Sequence, residues 1–523
     1  MTGYGGKLRR MLGTVAIDGS SLTLGLVAQV ARHGLAVSLA PPARARMARS
    51  RAWVEALVAR GEPVYGVNTG FGVFAERKIS AEDVARLQRN LLLSHAVGVG
   101  EPFAPEVVRA AMLIRANALA LGHSGARPAL AETLLAMLNA GVTPLIPSQG
   151  SLGSSGDLAP LSHLALVLST DEAGTAEASG QVWYAGRVMT GAEAMAAAGV
   201  HRLVLGPKES LALNNGASFS AALLALALAD GSALLEAAQA ALGLSLEALR
   251  GVSAAFDPRL HAARGHAGQQ RVAANVRRLL AGSSLIDSTR RVQDAYSLRC
   301  APQVLGPAYD ALGFATGIVE QELNAATDNP LFFDGEAVSG GNFHGEGLGQ
   351  AADFAALALA EVGALAERRV ARLIDDKLND GLPPMLVGAP EAAGLHSGLM
   401  MLQYTAAALV LENQSLASPD SVRSLPTSAN QEDHNANSAT AARHLRQLTE
   451  NVGRIVAIEL MTAAQAVDLR LRQTPGARLG QGTARVQATV RAAAPFIVRD
   501  QVYGPFVEAL AELVRQGRLE IGD

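Results

Sequence analysis

The sequence predicts a mainly α-helical protein in which a long central helical bundle follows a mixed N-terminal domain. Of its 523 residues, 49% are hydrophobic and only 17% are charged. That charged share is below the usual ~25%, which favours either a large buried fraction or a surface partly lost to contacts between subunits. Strand signals are sparse, with short candidates at 181–184 and 331–333. Alanine- and leucine-rich segments, each well beyond the average helix of ~11–12 residues, recur at 208–250, 303–324, 347–376, 394–413 and 438–469.

Glycine and proline punctuate the N-terminal part of the chain, so its helical segments alternate with loops. The two most prominent loops cover 63–75 and 142–156, and their composition is typical of irregular structure. We therefore expect an N-terminal domain over 1–206, a central bundle of long helices over 207–470 and a C-terminal helical segment over 471–523.

Charge and cysteine content exclude several classes of function. The net charge is −3 and the isoelectric point is about 6.4, without the basic surface of a nucleic-acid-binding protein. Cys300 is the single cysteine, which excludes an intrachain disulfide and a zinc site built on several cysteines. His344 and Glu346 lack a third ligand at a suitable spacing, so we predict no metal.

The longest apolar stretches, 216–229 and 394–411, are the candidates for membrane spans. The first is shorter than the ~20 apolar residues that a span needs, and the second carries several polar side chains. We interpret both as buried helices and expect a cytoplasmic protein without a membrane partner.

The stretch 150–160, Gly-Ser-Leu-Gly-Ser-Ser-Gly-Asp-Leu-Ala-Pro, is the most informative part of the chain. By composition alone it is a flexible glycine–serine turn. It is not a phosphate-binding loop, because its glycines lack the G-x-G-x-x-G spacing and no Gly-Lys-Ser/Thr follows. Asp157 can cap a helix over 158–167 that tolerates Pro160 in its first turn. The loop is therefore predicted at the positive end of a helix dipole.

Extended to residue 163, this stretch resembles the signature of the aromatic amino acid ammonia-lyases and aminomutases. Those enzymes build an electrophile, 4-methylidene-imidazol-5-one (MIO), from three consecutive residues. The resemblance implies that Ser154, Ser155 and Gly156 cyclise, with no diffusible cofactor. The Gly156 nitrogen would attack the Ser154 carbonyl, two waters would leave, and Ser155 would become an exocyclic alkene. The family usually has alanine in place of Ser154, but only the carbonyl of that residue reacts.

Further family-like motifs extend the resemblance over roughly 14–515. The sequence YGVNTGFG at 65–72 is similar to the inner loop that carries the family's catalytic tyrosine. Other matching blocks are 208–216, 293–300, 327–331, 340–344 and 428–434. The resemblance implies catalytic roles for Tyr65, Ser154, Ser155, Gly156, Tyr296 and Glu432, and substrate-binding roles for His95, Asn215, Gln293, Arg299, Asn329, Phe343, Met400 and Asn435.

The family's reaction removes a β-proton from an amino acid and expels ammonia. That proton is weakly acidic and the amine is a poor leaving group, so an electrophile that captures the substrate makes elimination feasible. Tyr65 would act as the base although the reference pKa of tyrosine is ~10, and helix N-termini would favour its phenolate. Arg299 would bind the substrate carboxylate with its planar guanidinium. Glycines around Tyr65 suggest a loop that closes and excludes water.

Four positions favour L-histidine as the substrate. His95 after Ser94, Asn68 in the inner loop, and Met400 all follow the histidine-specific branch of the family. Glu432 resembles the glutamate that faces the imidazole, whose proton it could hold or accept.

Two departures point elsewhere. Asn435 is more like the phenylalanine branch, and 264–269 reads Arg-Gly-His-Ala-Gly-Gln where the family commonly has Arg-Pro-His-Pro-Gly-Gln. We expect conversion of L-histidine to trans-urocanate and ammonia. Phenylalanine or tyrosine ammonia-lyase and 2,3-aminomutase activities are the alternatives within the family, and an inactive helical scaffold is the alternative without enzymatic activity. The resemblance also implies a homotetramer whose active sites are shared between subunits.

Overall fold

A computed structural model describes residues 13–70, 74, 76–174, 178–519 and 521. The chain forms two compact units, each assembled from three stretches. Unit 1 comprises Met1–Leu226, Thr316–Asp353 and Pro419–Arg443, and unit 2 comprises Ala227–Ala315, Phe354–Ser418 and His444–Asp523. The three domains predicted from the sequence, with boundaries after 206 and 470, are each continuous along the chain. That division stays a prediction.

The predicted fold class, mainly α with long helices, is confirmed. Within the described residues, the first ten α-helices are α1 (Leu24–His33), α2 (Pro41–Arg60), α3 (Val84–His95), α4 (Pro105–Ala120), α5 (Pro128–Ala140), α6 (Leu158–Leu168), α7 (Gly191–Ala197), α8 (Glu209–Asn214), α9 (Ser218–Ala248) and α10 (Pro258–Arg264). The later ones are α11 (Ala267–Leu280), α12 (Tyr296–Arg299), α13 (Ala301–Leu323), α14 (Glu346–Ile374), α15 (Met400–Leu416), α16 (Ser438–Gln473), α17 (Gln481–Ala493) and α18 (Gly504–Arg515).

Unit 1 also holds short strands, which pair into small separate sheets. The strands are β1 (Val15–Ile17), β2 (Val37–Leu39), β3 (Val99–Pro102), β4 (Thr143–Pro144), β5 (Pro147–Gln149), β6 (Ser169–Thr170), β7 (Gln181–Tyr184), β8 (Arg187–Thr190), β9 (Leu203–Val204), β10 (Leu331–Phe333) and β11 (Glu336–Val338). The two predicted strands are confirmed as β7 and β10, whereas the others were not predicted. The pairs are β1 with β2, parallel; β3 with β5, antiparallel; β4 with β7 and β7 with β8, antiparallel; β6 with β9, parallel; and β10 with β11, antiparallel.

The segment 208–250 forms two helices, so the single long helix that the sequence predicts there is wrong. Between α8 and α9 the backbone leaves the helical path at residues 215–217. Gly216 adopts a φ of +124°, and a Cβ at this position would overlap the guanidinium of Arg115. The interruption frees the backbone carbonyl of Asn215 for a contact outside the helical ladder.

The helices of unit 2 are joined by a buried ion pair. Arg369 of α14 donates from Nε and Nη2 to the two carboxylate oxygens of Glu459 of α16, both at 2.6 Å. Ser245 of α9 donates its hydroxyl to Glu459 Oε1 at 2.7 Å. All three side chains are fully buried. The ion pair and the serine hydroxyl together link three helices. Because each charge has a partner, no buried charge is left unpaired.

Among the residues that the structure describes, two helices, α9 and α14, are long and apolar enough to cross a membrane by length and composition alone. Their most apolar stretches are 83% and 56% buried within the protein. This burial agrees with the interpretation of 216–229 as part of a core helix, although the helix begins only at Ser218.

Candidate active site

The serine–glycine loop lies between β5 and α6 in unit 1, and its end is paired with the break after α8. Gly156 forms a parallel β-bridge with Gly216, and the Asp157 N–H donates to the Gly216 carbonyl at 2.9 Å. Gly156 adopts a φ of +72°, and a Cβ there would overlap the Gly216 backbone. Glycine is therefore required at 156 by conformation and by space.

Asp157 does not cap α6 with its side chain, so that prediction is wrong. The carboxylate is fully buried and turns instead towards two serines. Its Oδ1 accepts from the hydroxyls of Ser151 at 2.7 Å and Ser220 at 3.0 Å, and its Oδ2 accepts from the Ser220 N–H at 2.8 Å. Burial raises the pKa of Asp157, while these hydrogen bonds act to lower it. Asp157 thus ties the loop to the start of α9.

Ser155 is held from two sides. Its carbonyl accepts a hydrogen bond from Asn215 Nδ2 at 2.7 Å, and its hydroxyl donates to Glu432 Oε1 at 2.7 Å. The other oxygen of Glu432 accepts from the Thr427 hydroxyl at 2.9 Å. Three predicted site residues, Ser155, Asn215 and Glu432, therefore meet in unit 1 although they are distant in sequence.

Ser154 makes a separate contact with the segment that carries Glu432. Its hydroxyl accepts a hydrogen bond from the Ala436 N–H at 2.8 Å and donates to the Leu152 carbonyl at 3.3 Å. Only 5% of Ser154 is exposed, and Ala436 is fully buried.

His95 ends α3 close to the charge of Glu432. Its Nδ1 lies 3.0 Å from the Ser94 hydroxyl. Burial lowers the pKa of His95, and the Leu91 carbonyl and the Glu432 charge only partly offset this effect. The neutral imidazole is therefore favoured, and a neutral ring has one nitrogen donor and one acceptor. The loop after His95 is supported by His163, whose Nε2 accepts from the Gly98 N–H at 3.1 Å.

Asn435 uses its side chain to brace its own loop. Its Nδ2 donates to the Leu425 carbonyl and, at 3.4 Å, to the Thr427 hydroxyl, and its N–H donates to the Ser424 hydroxyl at 2.7 Å. Only 1% of Asn435 is exposed. In the described part of the chain, its Oδ1 is buried without a hydrogen-bond partner.

Asn329 lies at the end of a buried turn in unit 1 and bonds to the segment before Phe343. Its Oδ1 accepts from the Gly340 N–H at 2.7 Å, and its Nδ2 donates to the Ser339 hydroxyl at 3.2 Å. Phe343 itself is half-buried. The amide of Asn329 therefore connects the two predicted blocks, 327–331 and 340–344.

Tyr65 is half-buried in a turn, and Asn68 braces that turn. Asn68 Oδ1 accepts from the Val64 N–H, and Nδ2 donates to the Glu62 carbonyl, both at 2.8 Å. The structure thus gives Asn68 a backbone-supporting contact. The end of the predicted inner-loop motif, Phe71 and Gly72, lies outside the described residues.

Four further predicted residues belong to unit 2. Gln293 is exposed, Tyr296 is 71% exposed, and Met400 is half-buried at the start of α15. Arg299 Nε donates to the Asp294 carbonyl at 2.9 Å, and its guanidinium lies 4.7 Å from the centre of the Tyr296 ring. Arg299 and Tyr296 therefore form a cation–π pair within this unit.

Arg115 is a residue that the sequence reasoning missed. Its fully buried guanidinium donates from Nη1 to the carbonyls of Asn215 at 2.6 Å and Ala212 at 3.1 Å. It also donates to the hydroxyls of Thr327 at 2.7 Å and Ser218 at 3.1 Å. The available signal was its position between apolar residues, Ile114 and Ala116, in α4. Arg115 holds the backbone that presents Asn215 to Ser155.

The fold and this loop correspond to a known class of protein. Residues 22–492 match the family model described as aromatic amino acid lyase. The chain belongs to this family, and the predicted enzyme class, an ammonia-lyase that breaks a carbon–nitrogen bond, is confirmed.

Individual relatives resemble almost the entire chain. A histidine ammonia-lyase of Symbiobacterium thermophilum is 49% identical over 507 residues, covering 96% of each chain. The crystal structure of histidine ammonia-lyase from Trypanosoma cruzi is similar with a TM-score of 0.88 at 38% identity, covering 97% of this chain and 94% of that one. A tyrosine aminomutase from Streptomyces globisporus gives a TM-score of 0.90 at 36% identity, covering 97% and 98%.

Proposed function

We propose that this protein deaminates L-histidine to trans-urocanate and ammonia, using MIO formed from its own chain. The observation that carries the proposal is the double contact on Ser155, from Asn215 to the carbonyl and to Glu432 from the hydroxyl. The names of the similar histidine ammonia-lyases from two organisms support the choice of substrate.

The residues present fit MIO. Gly156 can approach the Gly216 backbone because it has no Cβ. Asn215 is 5% exposed and already donates to the Ser155 carbonyl, while its own Oδ1 is buried without a partner in the described part of the chain. MIO, formed from Ser154, Ser155 and Gly156, supplies the electrophile that takes up the substrate.

Asn215 favours reaction at Ser155 by withdrawing electrons through the hydrogen bond to its carbonyl. A hydrogen-bond donor that is already oriented stabilises the charge that develops during a reaction, because the donor itself does not have to move. Arg115 fixes the Asn215 carbonyl at 2.6 Å and so keeps the side chain in place. In this proposal Asn215 acts directly on the reacting group and Arg115 is a positioning residue.

Glu432 gains a free hydrogen-bond position when Ser155 is dehydrated. The hydroxyl that donates to Oε1 at 2.7 Å is the group that leaves. An imidazole N–H of the substrate can then take its place, while Thr427 keeps the other carboxylate oxygen oriented. His95, held neutral by burial, supplies a second contact to the imidazole.

The remaining site residues are proposed from the family resemblance. Tyr65 removes the β-proton, and Arg299 binds the substrate carboxylate beside Tyr296. The residues proposed to border the substrate are Gln293, Asn329, Phe343, Met400 and Asn435.

The assembly and location are also proposals. We infer a homotetramer whose active sites combine residues of several subunits, and a cytoplasmic location for which the single cysteine is the support. Light scattering on the purified protein measures the assembly, and a stable monomer at micromolar concentration would contradict it.

The direct test is to incubate the purified protein separately with L-histidine, L-phenylalanine and L-tyrosine and to identify the products by chromatography and mass. Urocanate from histidine alone is the expected result. Cinnamate or coumarate would mean that Asn435 and the departure at 264–269 decide the substrate.

Glu432→Gln should lower kcat/KM for histidine at least about tenfold, since it removes a charged hydrogen-bond partner. The same substitution at the exposed Glu391 serves as the control.

A 2,3-aminomutase is the second candidate, favoured by the similarity to a tyrosine aminomutase at a TM-score of 0.90. Such an enzyme would add ammonia back at the β-carbon. A β-amino acid among the products of the same incubations would therefore move the proposal to this activity.

A further inference from the structure

The hydroxyl of Ser154 is the side-chain group of the 154–156 triplet that ring formation does not consume. Cyclisation uses the Gly156 nitrogen, the Ser154 carbonyl and the Ser155 side chain. The Ser154 hydroxyl instead accepts the Ala436 N–H at 2.8 Å in a buried position. We propose that Ser154 is a positioning residue whose hydroxyl fixes the segment 424–437, and with it Glu432, against the 151–156 loop.

The segment 424–437 is braced mainly within itself. The Thr427 N–H donates to the Glu432 carbonyl at 2.8 Å, and the Glu432 N–H donates back at 3.3 Å. Asn435 closes the other end by bonding to Ser424 and Leu425. Because these contacts are internal, they set the shape of the segment but not its position relative to the 151–156 loop.

Among the described residues, two hydrogen bonds join this segment to the 151–156 loop. One runs from the Ser155 hydroxyl to Glu432, and the other from the Ala436 N–H to the Ser154 hydroxyl. The first disappears when Ser155 loses its hydroxyl. The Ser154 contact then remains as the direct hydrogen bond between the segment and the loop. Just beyond the segment, the Ser438 hydroxyl donates to the Gly153 carbonyl over a longer distance, 3.4 Å.

Ser154→Ala removes this contact and leaves a buried N–H without a partner. The loss of a buried hydrogen bond corresponds to about a tenfold change in a local opening equilibrium. We expect amide exchange in a peptide spanning 424–437 to rise about tenfold in Ser154→Ala. Ser154→Thr keeps the hydroxyl and restores slow exchange.

The matched control is Ser50→Ala. Ser50 is also buried at 1% exposure, but its hydroxyl donates only to the Met47 carbonyl of its own helix at 3.1 Å. Exchange of 424–437 should be the same in Ser50→Ala as in the unmodified protein. Equal exchange in Ser154→Ala and Ser50→Ala would overturn the proposal.

Kinetics provide the second readout, which rests on the proposed function. With the loss of two waters verified by intact mass in every variant, Ser154→Ala should lower kcat/KM for L-histidine about tenfold, and Ser154→Thr should restore it. A Ser154→Ala protein that keeps its full encoded mass would assign the hydroxyl to ring formation and reject the positioning role. If the unmodified protein does not deaminate histidine, the proposed function fails while the exchange comparison still decides the role of Ser154.

Discussion

The local geometry at Gly156 leaves no room for a side chain. Its φ of +72° disfavours any side chain, and the space beyond its Cα is filled by the Gly216 backbone. We predict that Gly156→Ala prevents the 154–156 triplet from closing, so that intact mass spectrometry shows the full encoded mass of the variant.

Gly141→Ala is the control for this prediction. Gly141 has a similar φ of +77°, but a Cβ there meets nothing within 4 Å. This variant should lose about 1 kcal/mol of stability from the left-handed backbone alone and should still lose two waters. Dehydration of Gly156→Ala to the same extent would show that the close approach to Gly216 is not needed.

Glu322 makes stability depend on pH. Burial raises its pKa to about 7 from the ordinary 4.5; Asp157 adds to this rise and Arg115 opposes it. Because the folded state holds the proton more tightly, the stabilising contribution is present below pH 4.5 and is lost as the pH rises through about 7. The total change is about 3 kcal/mol or less.

Glu322→Gln is neutral throughout this range and tests the prediction. The difference in denaturation free energy between the variant and the unmodified protein should grow in favour of the variant from pH 5 to pH 8, by about 3 kcal/mol or less. If the denaturation free energies of the two proteins change in parallel with pH, the raised pKa of Glu322 is contradicted.

At the scale of elements, the break between α8 and α9 depends on Arg115. The guanidinium satisfies the carbonyls of Ala212 and Asn215, which a helix end would otherwise leave unpaired. Arg115→Met should lower the free energy of unfolding by about 3 kcal/mol or more, because the buried carbonyls of Ala212 and Asn215 lose their hydrogen-bond donor.

Thermal denaturation and intact mass measure the two consequences of this change, lower stability and incomplete dehydration. Arg259→Met is the control, since the Arg259 side chain is 90% exposed and pairs with Asp257 two residues away. A Tm of Arg115→Met equal to that of the control would contradict the structural role of Arg115.

Sequence patterns predicted the long elements better than the short ones. The helices expected at 303–324, 347–376 and 438–469 are present with ends shifted by only a few residues. Long apolar periodicity is a strong local signal. Every strand in the described part of the chain has two to four residues, and the pairing of such short strands depends on tertiary contacts that no local pattern reveals.

At the scale of the whole molecule, the chemistry of the site was predictable where it is encoded in consecutive residues. The serine–glycine loop was found from its motif, whereas the side chain of Asp157 was assigned to the wrong partner. Asp157 turns from α6 to Ser220, 63 residues away, a contact that only the fold defines. Arg115 was missed for the same reason, since its partners in α8, α9 and the 327 turn are remote in sequence.

The intact mass of the purified, unmodified protein tests the central claim most directly. The account predicts a mass lower than that of the encoded chain by two waters, located by peptide mapping to a fragment containing Ser154, Ser155 and Gly156. A protein that carries its full encoded mass, with this fragment unmodified, would contradict the proposed electrophile and the mechanism built on it.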